Sequence, residues 1–193
     1  MNAPVHRSAF ARAGELDGLV LCGGLGTRLR EETEFKPKPM VEIGGRPILW
    51  HILKHYARFD VGRMVLCLGY KGDAIRDFFL NYHRRSHDVE IDIASGDVEL
   101  IQTRQSDPLD CRVVLAETGA DSQTGRRILK ALPHVRSDRF FATYGDAVAD
   151  VDIDALLETH MSMGRLATVT AVHPSSRFGE LGIANGVIHS FAE

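Results

Sequence analysis

The stretch from Leu19 to Leu29 reads Leu-Val-Leu-Cys-Gly-Gly-Leu-Gly-Thr-Arg-Leu, an apolar run that passes without a break into three glycines and an arginine. The apolar part predicts a buried strand. The missing side chains at Gly23, Gly24 and Gly26 let backbone N–H groups approach an anion closely, and Arg28 adds a positive charge beside them. The stretch therefore predicts a phosphate-binding loop at the carboxyl end of a first strand.

Two other glycine motifs are excluded by the residues that follow this loop. A dinucleotide-binding fingerprint needs a further glycine where Leu29 stands, and no ribose-binding acid is identifiable downstream. A P-loop ends in Gly-Lys-Ser/Thr, and no such tripeptide occurs in the sequence. The residues alone leave one other interpretation open, a tight strand-to-helix turn without a ligand.

A second cationic segment follows closely, Lys36-Pro37-Lys38-Pro39. Its two prolines disfavour a helix and predict an extended backbone. With Arg28 on the glycine loop and Lys38 on this segment, two cations could flank a single polyphosphate.

A carboxylate comes directly after another predicted strand, in Phe140-Phe-Ala-Thr-Tyr-Gly-Asp146. At the carboxyl end of a strand, Asp146 could hold Mg²⁺ that bridges to phosphate oxygens. An aspartate in this position also serves as a turn or capping residue, and the phosphate loop is what favours the metal.

The polar segment from Thr118 to Arg127 lies between a predicted strand and a predicted helix. Its hydroxyls and backbone amides suit the edge of a nucleotide base or ribose, and Arg127 could contact the nucleotide. A solvated loop with no ligand is the alternative.

Strand-like and helix-like segments alternate along the chain. Strands are predicted at 16–21, 64–68, 140–143 and 167–172, and helices at 47–59, 72–82, 127–132 and 154–163, with Asp73 as the N-cap of the second helix. Antiparallel hairpins are predicted for 89–93 with 98–103 and, through an Asn185-Gly186 turn, for 181–184 with 187–191. The alternation indicates an α/β fold, a mostly parallel sheet covered by helices, with ligands beyond the carboxyl ends of its strands.

The composition is that of an ordinary globular chain, with 44% hydrophobic residues, 25% charged residues and a formal net charge of −3. This balance argues against nucleic acid as a partner, and no apolar run approaches the length needed to cross a membrane. The three cysteines show no paired Cys-x-x-Cys spacing, so reduced thiols and a cytoplasmic location are expected. Residues 1–14 are expected to form a flexible tail ahead of one domain, 15–193.

The glycine loop and several later segments resemble the sugar-1-phosphate nucleotidylyltransferases, in particular their cytidylyl branch. The matching segments are Gly23–Leu29, Glu31-Glu32-Thr33, Lys36–Met40, Ile43–Gly45, Pro47–His51, Gly69–Gly72, Thr143–Asp146 and Arg177-Phe178-Gly179. The resemblance implies a Rossmann-like three-layer α/β/α fold and a Mg²⁺-dependent transfer between CTP and glucose 1-phosphate. It leaves homo-oligomerisation open.

The resemblance also assigns roles to individual residues. It implies Arg28, Lys38 and Asp146 as catalytic residues, with Asp146 as the metal ligand. The residues that it implies for nucleotide binding are Leu21, Cys22, Gly23, Gly24, Leu25, Gly26, Thr27, Arg28, Lys38, Ser122, Arg127 and Gly145.

The sequence departs from the family pattern at two positions and at its end. Arg126 and Ala147 stand where the family usually has glycine, so strain in the polar loop and crowding beside Asp146 are expected. The family continues past Glu193 with a substrate-binding lysine and a second metal-binding aspartate, so a truncated chain with impaired activity is expected. A non-catalytic nucleotide-binding or regulatory subunit, and an enzyme that uses UTP or GTP, remain alternatives.

Overall fold

The computed structural model describes residues 12–24, 36–101, 109–172, 180–184 and 187–192. The chain divides into two compact units, Met1–Thr159 and His160–Glu193. The described strands are β1 (Asp17–Leu21), β2 (Glu42–Ile43), β3 (Arg46–Pro47), β4 (Arg63–Leu68), β5 (Asp88–Ile91), β6 (Val98–Ile101), β7 (Arg112–Glu117), β8 (Phe140–Tyr144), β9 (Glu180–Ala184) and β10 (Val187–Ala192). The described helices are α1 (Ile48–Ala57), α2 (Gly72–Leu80), α3 (Tyr82–Ser86), α4 (Thr124–Ala131) and α5 (Ile153–Met163).

The first unit is built on a four-stranded parallel sheet in the order β7-β4-β1-β8. Its central strands β1 and β4 are apolar and almost fully buried, as expected where helices cover both faces of a parallel sheet. Gly18 is required at the centre, because a side chain there would collide with the thioether of Met64 on the neighbouring strand. The predicted mostly parallel α/β architecture is confirmed.

The register of the sheet brings the ends of all four strands to one edge. Leu21 pairs with Cys67 on one side and with Tyr144 on the other, and Leu68 pairs with Glu117. The loops that follow these strands therefore emerge together. This edge is where the predicted phosphate loop, the polar loop and Asp146 belong.

Helix α1 begins after Pro47, as predicted, and buries Leu49, Ile52, Leu53 and Tyr56. The helix predicted at 72–82 is instead two helices that meet at Asn81, whose side-chain amide donates to the carbonyl and the carboxylate of Asp77. The prediction of Asp73 as its N-cap is wrong. A turn closed from Gly72 N to Gly69 O places the cap two residues earlier, at Lys71, whose φ is 54°.

Both predicted hairpins are confirmed. Strands β5 and β6 pair antiparallel with Val89 opposite Leu100, and β9 and β10 pair with Ala184 opposite Val187. Residues 102 and 103 of the first prediction and the Asn185-Gly186 turn of the second lie outside the described residues.

The strand predicted at 167–172 is wrong. These residues form no regular secondary structure, and Val169 and Val172 are exposed. An alternating apolar pattern becomes a strand only where a neighbouring strand accepts its hydrogen bonds, and within the described residues none pairs with this segment.

No helix in the described part of the chain is long and apolar enough to span a membrane.

An ion pair between two mostly buried side chains lies at the amino ends of β1 and β4. Asp17 Oδ2 lies 2.8 Å from Arg63 Nη1 and accepts a hydrogen bond from the backbone N–H of Arg136 at 2.7 Å. The same arginine nitrogen donates to the carbonyl of His134 at 2.7 Å. These contacts tie β1 and β4 to the segment that leads into β8.

Asp17→Ala is expected to lower the free energy of unfolding by about 3 kcal/mol, because it leaves the Arg63 guanidinium poorly paired in a mostly buried site. Urea denaturation followed by circular dichroism measures this. Asp73→Ala is the matched control, since its carboxylate is fully exposed and lies 3.9 Å from Arg76. An unchanged midpoint in Asp17→Ala would contradict the role assigned to the pair.

Candidate active site

The glycine loop leaves strand β1 at the carboxyl edge of the sheet. Leu21, Cys22, Gly23 and Gly24 are described, and the backbone N–H of Cys22 donates to the carbonyl of Cys67 at 3.1 Å. Four further residues predicted for this loop lie outside the described residues, namely Leu25, Gly26, Thr27 and Arg28. Their roles remain predictions.

The two described glycines of this loop have different surroundings. A side chain on Gly23 would collide with the guanidinium of Arg127, so the lack of a Cβ is required there by the protein itself. Among the described residues, no atom apart from those of its chain neighbours lies within 4 Å of the position that a Cβ on Gly24 would take. Gly24 therefore faces open space, where a ligand can approach its backbone.

Arg127 is buried at the centre of this edge and is saturated by hydrogen bonds to the protein. Its Nη2 donates to the carbonyls of Gly23 and Ala120, at 2.5 and 2.8 Å. Its Nη1 donates to Leu68 O, Thr118 Oγ1 and Gly119 O, at 3.2, 2.9 and 2.8 Å. The guanidinium thus joins the glycine loop, the end of β4 and the polar loop, and direct contact of Arg127 with a nucleotide remains a prediction.

Lys38 and Asp146 meet at the same edge. Lys38 Nζ lies 3.9 Å from Asp146 Oδ2, and the two side chains are 22% and 41% exposed. The separation is too long for a tight ion pair, so both charges remain available to a ligand. The structure thereby brings together two of the three predicted catalytic residues.

The backbone around Lys38 differs from the prediction. Pro37 is extended, but Lys38–Met40 forms one turn of 3₁₀ helix with Pro39 in its first turn. A proline is tolerated there because the first N–H groups of a helix have no partner within the helix. The expectation of an extended segment through Pro39 is therefore wrong.

Gly145 allows the loop after β8 to lie directly on the glycine loop. Its backbone N–H donates to the carbonyl of Leu21 at 3.0 Å. A Cβ on Gly145 would stand 3.1 Å from Cys22 Sγ and 3.2 Å from a side-chain carbon of Pro39. The position of Asp146 thus depends on close packing that a larger residue at 145 would disturb.

The polar loop is held by its own side chains. Ser122 Oγ donates to the carbonyl of Thr118 at 2.6 Å, and Lys130 Nζ donates to the same oxygen at 2.9 Å. Arg126 lies exposed in α4 and has no positive φ, so the strain expected from this departure is absent. Ala147 is exposed, and its effect on a ligand is untested.

Sequence reasoning missed the carboxylate at the end of β7. Glu117 Oε2 lies 3.5 Å from Arg76 Nη2, and Glu117 Oε1 accepts from the backbone N–H of Gly119 at 3.2 Å. Its position as the last residue of a strand is the signal that could have identified it. Thr118 begins the polar segment whose hydroxyls were predicted to suit a nucleotide base or ribose, but its side chain is fully buried and its hydroxyl donates to the carbonyl of Leu68, so it belongs to the core of this edge.

In the described part of the chain, Asp146 supplies a carboxylate beside Lys38 where a divalent cation could bind. In the described residues no group of three His, Cys, Asp or Glu side chains is arranged to hold a metal ion. Mg²⁺ is commonly bound by one or two carboxylates together with substrate phosphates and water, so a lone, partly exposed aspartate beside a phosphate loop fits that mode.

The described cysteines are buried or partly buried free thiols. Burial raises the pKa of Cys67 from 9.0 to about 11 and, with a smaller contribution from Asp110, raises the pKa of Cys111 to about 11. Burial, reinforced by Cys67 and Asp146, also raises the pKa of Cys22. At neutral pH these thiols are protonated, and none serves as a nucleophile.

The free energy of unfolding is expected to fall as the pH rises from about 9 toward 11. The folded state holds the thiol protons of Cys67 and Cys111 to a higher pH than the unfolded state does, so their contribution is complete below pH 9 and is lost above it. The slope is roughly 1 kcal/mol per pH unit for each thiol. Urea denaturation at pH 8, 9 and 10 measures it, and Cys67→Ala should lower the slope by the contribution of that one thiol, since Cys22 and Cys111 remain; an equal slope in that variant would contradict this assignment.

Comparison with known proteins places this geometry in context. Residues 18–186 match the family model described as the MobA-like NTP transferase domain. The chain is 45% identical over 179 residues to the glucose-1-phosphate cytidylyltransferase of Salmonella typhimurium, covering 92% of this chain and 68% of that protein. It is 38% identical to the probable glucose-1-phosphate cytidylyltransferase of Bacillus subtilis, with coverage of 92% and 68%.

Among solved structures, the crystal structure of HddC from Yersinia pseudotuberculosis complexed with GMP-PN is similar at 25% identity and a TM-score of 0.58. The similarity covers 92% of this chain and 69% of HddC. A putative glucose-1-phosphate thymidylyltransferase from Bacillus anthracis shares the fold, with a TM-score of 0.59 at 19% identity over 92% of this chain and 63% of that one.

Proposed function

The chain belongs to the family of MobA-like NTP transferase domains, and we propose that it transfers the cytidylyl group of CTP to α-D-glucose 1-phosphate, giving CDP-glucose and pyrophosphate. The observation that carries the proposal is the meeting of Lys38 and Asp146, 3.9 Å apart, beside the glycine loop. The choice of base and sugar is supported by the 45% identity to a glucose-1-phosphate cytidylyltransferase.

The reaction needs no nucleophile from the protein. A phosphate oxygen of glucose 1-phosphate forms a bond to the α-phosphorus of CTP, the bond from that phosphorus to the bridging oxygen breaks, and pyrophosphate leaves with the electron pair. The substrates supply all the atoms of both products. The protein's contribution is therefore positioning and the neutralisation of charge.

The predicted site residues position the substrates or neutralise charge in this reaction. Lys38 neutralises charge on the α-phosphate as the new bond forms, since its ammonium group is partly exposed and is not tightly paired. The open face of Gly24 allows the phosphates to approach the backbone closely. Arg28 is proposed to neutralise the leaving pyrophosphate, and Gly26 and Thr27 to hold the nucleotide.

We propose Mg²⁺ as the divalent cation and Asp146 as the residue that holds it. When bound, Mg²⁺ would be held by the Asp146 carboxylate and would supply Lewis-acid chemistry to the phosphates. The Asp146 carboxylate suits this role because it is 41% exposed and the ammonium group of Lys38 lies 3.9 Å away, too far for a tight ion pair. A cytoplasmic location is proposed as well, in keeping with the free thiols.

A panel of triphosphates tests the proposed function. The chain is incubated with glucose 1-phosphate, Mg²⁺ and either CTP, UTP or GTP, and pyrophosphate release is followed. We expect release with CTP above the other two, and its loss on chelation of the metal. Faster pyrophosphate release with UTP or GTP would show that the chain transfers a uridylyl or guanylyl group instead. CTP binding detected by calorimetry without pyrophosphate release would favour a non-catalytic nucleotide-binding subunit.

A further inference from the structure

Glu117 occupies a distinctive place on the carboxyl edge. It ends β7, its side chain is 62% exposed, and it pairs in register with Leu68 of β4. In the order β7-β4-β1-β8, two strand spacings separate it from the glycine loop and three separate it from the strand that leads to Asp146. Those spacings amount to about 10 and 14 Å.

A nucleotide bound at the proposed site would reach Glu117 with its base. The phosphates belong between the glycine loop after β1 and the pair formed by Lys38 and Asp146 beside β8. With the phosphates placed there, the strand order leaves the edge over β4 and toward β7 as the path along which the nucleoside would extend. That direction leads past the polar loop, where Glu117 is the residue at the strand end.

Two described groups of the protein contact the oxygens of the Glu117 carboxylate. The backbone N–H of Gly119 donates to Oε1 at 3.2 Å, and Arg76 lies 3.5 Å from Oε2. A carboxylate offers about four lone-pair sites, and these contacts from the described residues use only part of them. The backbone contact from Gly119 orients the carboxylate, and a fixed orientation is what selective hydrogen bonding requires.

We propose that Glu117 determines the base specificity of this site by accepting a hydrogen bond from the exocyclic amino group of cytosine, an inference that rests on the function proposed above. Carboxylates accept from the cytosine amino group in nucleic-acid recognition. Uracil carries a carbonyl oxygen at the same position, so the carboxylate would face a second acceptor. The Glu117 carboxylate would thereby favour the binding of CTP and disfavour the binding of UTP.

Calorimetric titration of the chain with Mg²⁺ and CTP, UTP or GTP, which needs no turnover, tests this inference. The chain is expected to bind CTP most tightly, and Glu117→Gln to narrow the CTP-to-UTP affinity ratio by about tenfold, because an amide can donate to the uracil oxygen. Glu158→Gln removes an exposed carboxylate on α5, an element other than β7, and should leave the ratio unchanged. A folded Glu117→Gln variant with an unchanged ratio would overturn the inference.

Two further variants separate base recognition from a structural role of the ion pair. Arg76→Gln keeps the carboxylate and should retain the preference for CTP; loss of that preference would mean that Glu117 acts through Arg76, and would overturn the inference. If Glu117→Gln does not fold, Glu117→Asp withdraws the carboxylate by one methylene and should weaken CTP binding, whereas unchanged affinity overturns the proposal. Failure of the unaltered chain to bind any triphosphate, or tighter binding of GTP, would overturn the proposed function and this inference together.

Discussion

Lys38→Ala is expected to lower kcat for pyrophosphate release on the order of 100-fold while KM for CTP changes far less. The ammonium group is placed to neutralise charge that develops on the α-phosphate, and removal of one such group raises the barrier by about 3 kcal/mol. The fold should persist, because the side chain contributes an ion pair no closer than 3.9 Å. Steady-state kinetics at saturating CTP and glucose 1-phosphate measure the effect.

Lys36→Ala is the matched control for this prediction. Lys36 precedes the same 3₁₀ turn and carries the same charge, but its Nζ lies 3.0 Å from Glu42 Oε1 and its side chain is 57% exposed. Its removal should leave kcat nearly unchanged. Equal turnover in Lys38→Ala and Lys36→Ala would remove Lys38 from the mechanism.

Arg127→Ala is expected to lower the free energy of unfolding by about 3 kcal/mol and to weaken CTP binding at least tenfold. The substitution leaves five acceptors around the guanidinium without their donor, and charged donors of this kind each contribute appreciably. It also frees the Gly23 carbonyl, so the glycine loop loses its link to the polar loop. Thermal denaturation should show a fall of about 10 °C.

Two further variants, Arg127→Lys and Arg126→Ala, test whether the loss of stability depends on the hydrogen bonds of Arg127 and not merely on a positive charge in α4. A lysine ammonium cannot reproduce the planar fork that serves Gly23 and Gly119 together, so Arg127→Lys should recover little of the stability. Arg126 precedes it in α4 but is exposed, and Arg126→Ala should behave like the unaltered chain. Full stability in Arg127→Lys would show that charge alone, without the hydrogen-bond geometry, holds the edge together.

The sequence predicted the sheet well where local pattern and tertiary environment agree. The runs in β1 and β4 are apolar because both faces of a central parallel strand are covered, so their pattern alone indicates their place. Residues 167–172 carry an alternating apolar pattern without a described strand beside them, and local pattern cannot report whether a partner exists. The break between α2 and α3 at Asn81 likewise follows from side-chain bonds to Asp77 that periodicity does not encode.

The candidate site was predictable in its residue types and less so in their roles. Gly145 and Asp146 follow an apolar strand, and the convergence of parallel strand ends made their approach to the glycine loop expected. Arg127 was predicted to contact a nucleotide because it lies in a polar loop. Arg127 is instead buried and donates to carbonyls of residues distant in sequence, such as Gly23 and Leu68. Both features depend on the packing of α4 against the sheet.

The most direct test of the central claim is a ³¹P NMR spectrum of the chain incubated with CTP, glucose 1-phosphate and Mg²⁺. The proposed function predicts that the resonances of both substrates decline together while those of a sugar-linked diphosphate and of pyrophosphate grow in equal amounts. Omission of glucose 1-phosphate should abolish both products. A spectrum in which CTP and glucose 1-phosphate remain unchanged, or in which CTP is hydrolysed without consumption of the sugar phosphate, would contradict the claim that this chain is a cytidylyltransferase.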